Sequence, residues 1–287
     1  MTIPNSEFAA FVRRKEQAAL APALAPYVTA LDEHDPEAMA IGNAWSRSLF
    51  DGHFYVSPPP DQSQPVGNLV FVQSKDRNTG SRNPTALGGG ETDKHLIYEG
   101  LSRVAADAVM AGAETIRSGD IVLSVWHPEL VSLRASLGKA RHPTQIVATL
   151  TGCDLDRGML FNIPEIPVVV VTIGPAAALM QNLLAARPWI TTLVMERASD
   201  LRHAFSQLRS LGIERISCIG GRRIATQLID AGLVQDLYLT TSPRTGGEPN
   251  TPMYPRPLDG RLFVRKLGTG TEAGVIFEHM SLTGRRS

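Results

Sequence analysis

From Asn68 onward, apolar runs of strand length alternate with helical patterns, and this alternation constrains the fold more than any other feature. "NLVFVQS" reads as a strand, and "TDKHLIYEGLSRVA" as a helix opened by the N-cap Thr92. The strands "DAVMAG" and "TQIVATL" follow, with a helix near Pro128–Leu137 between them. "PVVVVTIG" is β-branched and apolar on both faces, the signature of a central strand covered on both sides. "PAAALMQNLLAA" carries a proline in the first turn of a helix. Strand "ITTLVM", helix "DLRHAFSQLRSLG", strand "RISCIG", helix "RRIATQLIDAG" and strand "VQDLYLTTS" complete the run. "RLFVRKLG" and "GVIFEHMSL" flank a short turn and read as an antiparallel hairpin. The pattern predicts an α/β fold: a mostly parallel sheet, helices on both faces and a C-terminal antiparallel hairpin.

Residues 1–65 differ from the remainder. They hold a helix around Glu7–Leu20, a second around Pro36–Phe50, and the stretch "VSPPPDQSQPVG", which reads as an extended linker. This region is expected to be an N-terminal helical arm or lid without the strands for a core, followed by one domain over 66–287. The chain is 43% hydrophobic and 20% charged with a net charge of zero. That balance argues against nucleic acid or an anionic membrane as the main partner, since either favours a basic face. Two cysteines, Cys153 and Cys218, form no CxxC pair and no metal-spaced cluster, so neither a disulfide framework nor a metal site is expected. The N-terminal segment does not read as a signal peptide, so none is expected, and no apolar stretch nears the roughly 20 residues a bilayer requires. The expectation is a cytoplasmic protein.

In an open parallel sheet, ligands bind beyond the carboxyl ends of the strands, where helix N-termini point. Gly220 and Gly221 end one strand there and open a helix with Arg222, Arg223 and Ile224. Glycine admits an anion close to the backbone, the first helical N–H groups attract phosphate, and arginines add charged donors. A tight turn with two surface arginines is the equal alternative from this feature alone. Gly112 ends a second strand, followed by the short helix Ala113-Glu114-Thr115-Ile116, in which Thr115 either caps the helix or meets a phosphate. Two such turns in one sheet can hold the two ends of one dinucleotide. A full G-x-G-x-x-G fingerprint is absent.

"DAVMAGAETIRSGDIVLSVW", "QIVATLTGCDLD", "ISCIGGRRIATQLIDAGLVQDLYLTTSPRTGG" and the early "VFVQSKD" occur in an order that resembles the pyrimidine reductase domain of riboflavin biosynthesis, a relative of dihydrofolate reductase. The resemblance covers about residues 66 to 285. It implies a dihydrofolate reductase-like fold, NADPH as cofactor and a homodimer, with reduction of a ribosylaminopyrimidine phosphate as the family's reaction. It implies cofactor contacts at Val72, Gly112, Ala113, Thr115, Thr151, Gly220, Gly221 and the helix start Arg222 to Ile224. It also sets Ser74 and Asp76, as an S-x-D motif, beside the substrate, with Arg77 where the family has glycine.

The substrate side departs from the family. Gly119, Leu123 and Trp126 stand where the resemblance implies an aspartate, a leucine and a phosphate-holding arginine. Ile219 replaces an acidic substrate contact, and "LGGGETD" replaces the usual segment before the first helix. Trp126 offers a flat face for stacking; the alternative is a loop aromatic anchored by Pro128. The expected chemistry is hydride transfer to a small heterocyclic C=O or C=N substrate, with Asp76 as the acid, provided burial raises its pKa. A solvated loop aspartate is the alternative for Asp76; His95 and His127 are the other proton donors considered. Two rival functions stay open: the riboflavin-pathway reduction itself, and an NADPH-binding sensor without catalysis. A dimer contact is expected at "QDLYLTTS" and the closing hairpin, because a bare edge strand invites uncontrolled pairing.

Overall fold

The alternation of buried residues along each strand decides which helices cover which face. The computed structural model describes residues 2–59, 62–81, 84–117 and 121–282. The chain begins with α1 (Asn5–Leu20), β1 (Tyr27–Asp32), β2 (Met39–Ile41), α2 (Ala44–Phe50) and β3 (Phe54–Val56). Next come β4 (Val66–Gln73), α3 (Gly90–Thr92) and, after the π-helical stretch Asp93–Leu101, α4 (Ser102–Val104). β5 (Ala108–Gly112), α5 (Ala113–Ile116), α6 (Pro128–Ser136), β6 (Thr144–Ala148), β7 (Val168–Ile173), α7 (Gly174–Ala185) and β8 (Ile190–Met195) follow. The chain closes with α8 (Leu201–Ser210), β9 (Arg215–Cys218), α9 (Arg222–Asp230), β10 (Asp236–Thr241), β11 (Arg261–Gly268) and β12 (Ile276–Ser281).

Ten strands form one sheet in the order β1-β11-β12-β10-β4-β9-β5-β6-β7-β8. From β10 to β8 the pairing is parallel, whereas β1, β11 and β12 are antiparallel. The expected α/β architecture is therefore present, hairpin included. Val168 to Thr172 are all buried, as a strand covered on both faces requires. α8 places Leu201, Ala204, Phe205 and Leu208 on one stripe, and with α9 covers the face carrying Leu69, Met110 and Ile146. Val109, Ala111, Val147 and Val170 point the other way, under α1 and α7. β5 continues outward to β6, whereas β9 is followed beyond β4 by β10. The connections thus run in opposite directions across β4, β9 and β5, the arrangement in which open α/β sheets bind ligands beyond the carboxyl ends of the strands.

The first 65 residues are not a strandless arm. Tyr27–Asp32 adds the strand β1 to β11, and β2 pairs with β3 in a separate small sheet. The expected helix from Pro36 starts only at Ala44, where Asn43 and Ser46 form a reciprocal cap. Aromatic burial explains the integration: Tyr27, Phe50 and Phe54 sit in one core cluster with Tyr238 and Phe277. Lys266 fixes the new edge, donating to Thr29 Oγ1 at 2.7 Å and to the Asp51 carbonyl at 2.9 Å. The edge argument for a dimer fails for the same reason. β10 lies between β12 and β4, and β1 covers the hairpin.

Candidate active site

β5 and β9 are neighbours, so their terminal glycines meet. The Gly112 N–H donates to the Gly220 carbonyl at 3.2 Å, and Gly221 is the N-cap of α9, with no side chain capping that helix. The Gly220–Gly221 peptide is cis, and Gly220 has φ +113°, a region that favours glycine. A Cβ added at Gly112 would find nothing nearer than the Gly221 nitrogen at 4.0 Å. One at Gly221 would find Thr115 Oγ1 at 3.8 Å. By contrast, a Cβ at Gly67 would strike the Leu233 carbonyl at 2.2 Å. Gly67 is small because packing demands it, whereas a Cβ at Gly112 or Gly221 would meet only ordinary van der Waals contacts.

The other expected cofactor residues lie around these glycines and differ in exposure. Thr115 is half-buried on α5, Ala113 is buried, and Thr151 is exposed beyond the neighbouring β6. Arg222 is partly exposed, 3.9 Å from Glu248, and Arg223 is exposed. Ile224 turns its side chain into the core beneath α9, so only its backbone belongs to the helix start.

The loop after β4 corrects the expectation for Asp76. Its Oδ1 accepts from the Gly246 N–H at 3.2 Å and its Oδ2 from Asn78 Nδ2 at 3.1 Å. The Ser74 hydroxyl and the Gly246 N–H lower its pKa, the direction opposite to the one an acid at neutral pH needs. Asp76 is exposed and holds two loops together. Ser74 is buried with its hydroxyl donating to the Gly246 carbonyl at 2.9 Å, so it too serves the loop. Arg77, in the place of the family's glycine, adopts φ +66°.

The substrate-side residues are also placed differently from expectation. Leu123, Trp126 and Ile219 are all buried in one cluster, with Leu123 N–H donating to Gln145 Oε1 at 2.8 Å. Trp126 is 1% exposed, and the Phe11 ring of α1 packs edge-on against it at 5.7 Å. The face expected to stack on substrate is taken by the chain itself. Gly119 lies outside the described residues. His95 is buried with Nε2 3.1 Å from a Glu91 carboxylate oxygen, and His127 accepts from the Glu129 N–H at the start of α6. Burial lowers the His127 pKa.

A buried carboxyl that the sequence reading did not select lies beside the end of β4. Val72, at the end of β4, is in register with Thr240 of β10, and the Thr240 hydroxyl donates to Asp93 Oδ1. A Cβ at Gly89 would lie 2.8 Å from Asp93 Oδ2 and 2.9 Å from Val72 Cγ2, so the carboxyl and the strand end flank the same glycine. Burial pushes the Asp93 carboxyl up to about 7, the Thr240 hydrogen bond opposes this, and the charge of Glu272 reinforces it. Glu272 itself accepts from the Glu91 and Thr92 N–H groups, and the buried Tyr27 hydroxyl has its pKa raised first by burial and then by Asp93 and Glu272. The local pattern "TDKHL" shows Asp93 only as a first-turn acid; its partner lies 147 positions away. Among the described residues, no group of three or more His, Cys, Asp or Glu is placed to hold a metal ion.

Comparison with known proteins fits this geometry. A pyrimidine reductase-like protein of Corynebacterium diphtheriae superposes with a TM-score of 0.62 at 21% identity, over 77% of this chain and 92% of that one. RibD of Acinetobacter baumannii gives 0.59 at 17% identity, over 77% of this chain and 58% of that longer protein. The riboflavin biosynthesis reductase Rib7 of Saccharomyces cerevisiae gives 0.52 at 16%, over 79% and 93%. These likenesses show a dihydrofolate reductase-like fold. No curated protein matches the sequence. The model of the RibD C-terminal domain matches residues 80–268, a span that includes Asp93, Gly112 and the Gly220–Gly221 turn, so the chain belongs to the RibD C-terminal domain family.

Proposed function

We propose that this protein is an NADPH-dependent reductase that transfers hydride to a C=O or C=N carbon of a small heterocycle. The observation that carries the reading is the convergence of Gly112, Gly220 and Gly221 at the carboxyl ends of neighbouring strands in a reductase-family sheet, where an added Cβ at Gly112 or Gly221 meets no contact closer than 3.8 Å. The residues present fit the cofactor: two glycines leave room for it, and the N-terminus of the nine-residue α9 attracts phosphate, with Arg222 beside it. When bound, NADPH supplies the hydride. The protein's own residues bind, orient and protonate. Gly112, Thr115 and Gly221 border the cofactor space, and Val72 ends the strand that leads to the reacting region. Asp93, protonated near neutral pH, holds the proton that the reduced substrate needs. Thr240 donates to Oδ1 and so leaves Oδ2 as the oxygen that carries this proton.

The names of the neighbours make the ribosylaminopyrimidine phosphate the first substrate to test. The homodimer implied by the resemblance belongs to this reading, through a surface other than the hairpin edge. So does the reducing cytoplasm, where Cys153 and Cys218 stay free thiols. Among the described residues no helix is long and apolar enough to cross a membrane. The test is NADPH oxidation with that compound and with a panel of imine and carbonyl heterocycles. Turnover of any member supports a reductase; saturable NADPH binding with no turnover across the panel favours a sensor.

A further inference from the structure

The family match spans residues 80–268, yet the surroundings of Asp93 are completed by residues outside it. Glu272 stands in the turn between β11 and β12. Its Oε1 accepts from the Glu91 N–H at 2.9 Å and from the Thr92 N–H at 3.3 Å. A Cβ at Gly90 would overlap the Glu272 carboxylate, and one at Gly89 would lie 2.8 Å from Asp93 Oδ2. Two buried carboxyl groups from distant parts of the chain thus close on adjacent glycines. Ala25, ahead of β1, clasps the same helix start: the Thr92 hydroxyl accepts from its N–H and donates to its carbonyl, each at 3.0 Å.

We propose that Glu272 is a positioning residue for the acid: its carboxylate, tied to two backbone N–H groups, disfavours a second negative charge and keeps the proton on Asp93. This rests on the reading of Asp93 as the proton source. The hydrogen bonds assign the two roles. Two N–H donors satisfy the ionised form of Glu272, whereas Asp93 Oδ1 has the neutral hydroxyl of Thr240. Among the described residues, the other groups around Asp93 supply no countercharge. Tyr27 of β1 and Tyr98 on the same helix are phenols kept neutral by burial. Lys94 and His95 pair with Glu91, at 3.5 and 3.1 Å, and Arg244, after β10, approaches Gly88. Burial raises the Asp93 pKa, the Thr240 hydroxyl opposes it, and the charge of Glu272 adds to burial. The two neighbours therefore act with opposite sign.

Infrared spectra of the full-length protein, from acid to mildly basic pH, follow the carbonyl band of the protonated carboxyl that Asp93→Asn removes. In wild type that band should be half lost at about pH 7. Glu272→Gln keeps an acceptor for both N–H groups but removes the charge, and should move the half-point down by about one pH unit. Thr240→Val removes the opposing hydroxyl and should move it up. The pH at which kcat falls should move with the band in both variants. A general loosening would instead carry both half-points the same way, toward that of a solvated aspartate. Glu272→Ala also removes the charge and serves if Glu272→Gln fails to fold. An unmoved or raised half-point in Glu272→Gln overturns the proposal, as does a downward shift shared with Thr240→Val. A folded wild type without an Asp93 band overturns it together with the reading of Asp93 as the acid. The pair of opposite shifts in a protein that turns over no heterocycle would uphold the role of Glu272 and defeat the reductase reading alone.

Discussion

The Thr240 hydroxyl donates to the Asp93 carboxyl, joining β10 to the helix that follows β4 and fixing an acid beside the strand end at Val72. Burial raises the Asp93 pKa in the folded protein to about 7, against about 3.9 for an unfolded aspartate. The folded state therefore holds its proton over a pH range in which the unfolded state has lost it. The stability this contributes is complete below about pH 4 and is lost as pH rises to about 7. Relative to Asp93→Asn, wild type should lose stability across that window, by on the order of a few kcal/mol, and show no further change above it. Urea unfolding of both proteins at several pH values measures the difference.

The same carboxyl should govern catalysis. kcat is expected to fall as pH rises through about 7, because the ionised form has no proton to give. Asp93→Asn should lower kcat by roughly 10²- to 10⁴-fold and remove that pH dependence, with NADPH affinity kept. A pH–rate profile of wild type and variant is the measurement.

Asp76→Asn should leave the pH dependence of kcat as it is in wild type. Its carboxylate bonds Gly246 and Asn78 across two loops, and its pKa is lowered rather than raised. The comparison separates the two aspartates: a pH profile that moves with residue 76 and not with residue 93 would reverse the assignment.

Much of the architecture was legible in local patterns, because each parallel strand and its covering helix carries its own periodicity. Val168–Thr172 and the stripe of α8 are examples. The glycine turns were legible for a similar reason, since "GAET" and "IGGRR" place both of their parts in neighbouring residues. What failed depended on distant pairing. β1 becomes a strand because β11, some 230 residues later, offers it an edge. Trp126 looked like a free aromatic until Phe11 covered it, and Asp93 looked like an ordinary first-turn acid until β10 brought Thr240 to it. Asp76, in an exposed-looking loop, gave no sign that Gly246 would hold it.

Trp126→Ala should act on stability rather than on substrate selection through stacking. The side chain is buried among Phe11, His142, Lys15 and Arg141, and truncating such an aromatic typically costs about 3–5 kcal/mol. Thermal unfolding of wild type and variant measures the loss. A change within experimental error would place Trp126 outside the core.

Calorimetric titration of NADPH into wild type and Gly221→Val tests the central claim most directly. Outside the adjoining residues, the nearest atom to a Cβ at this position is Thr115 Oγ1 at 3.8 Å, an ordinary contact distance, so the fold should tolerate the side chain. The account predicts saturable binding to wild type, and affinity weaker by about a hundredfold or more in a variant with an unchanged unfolding midpoint. Equal affinity in the two folded proteins, or no binding to wild type, would contradict it.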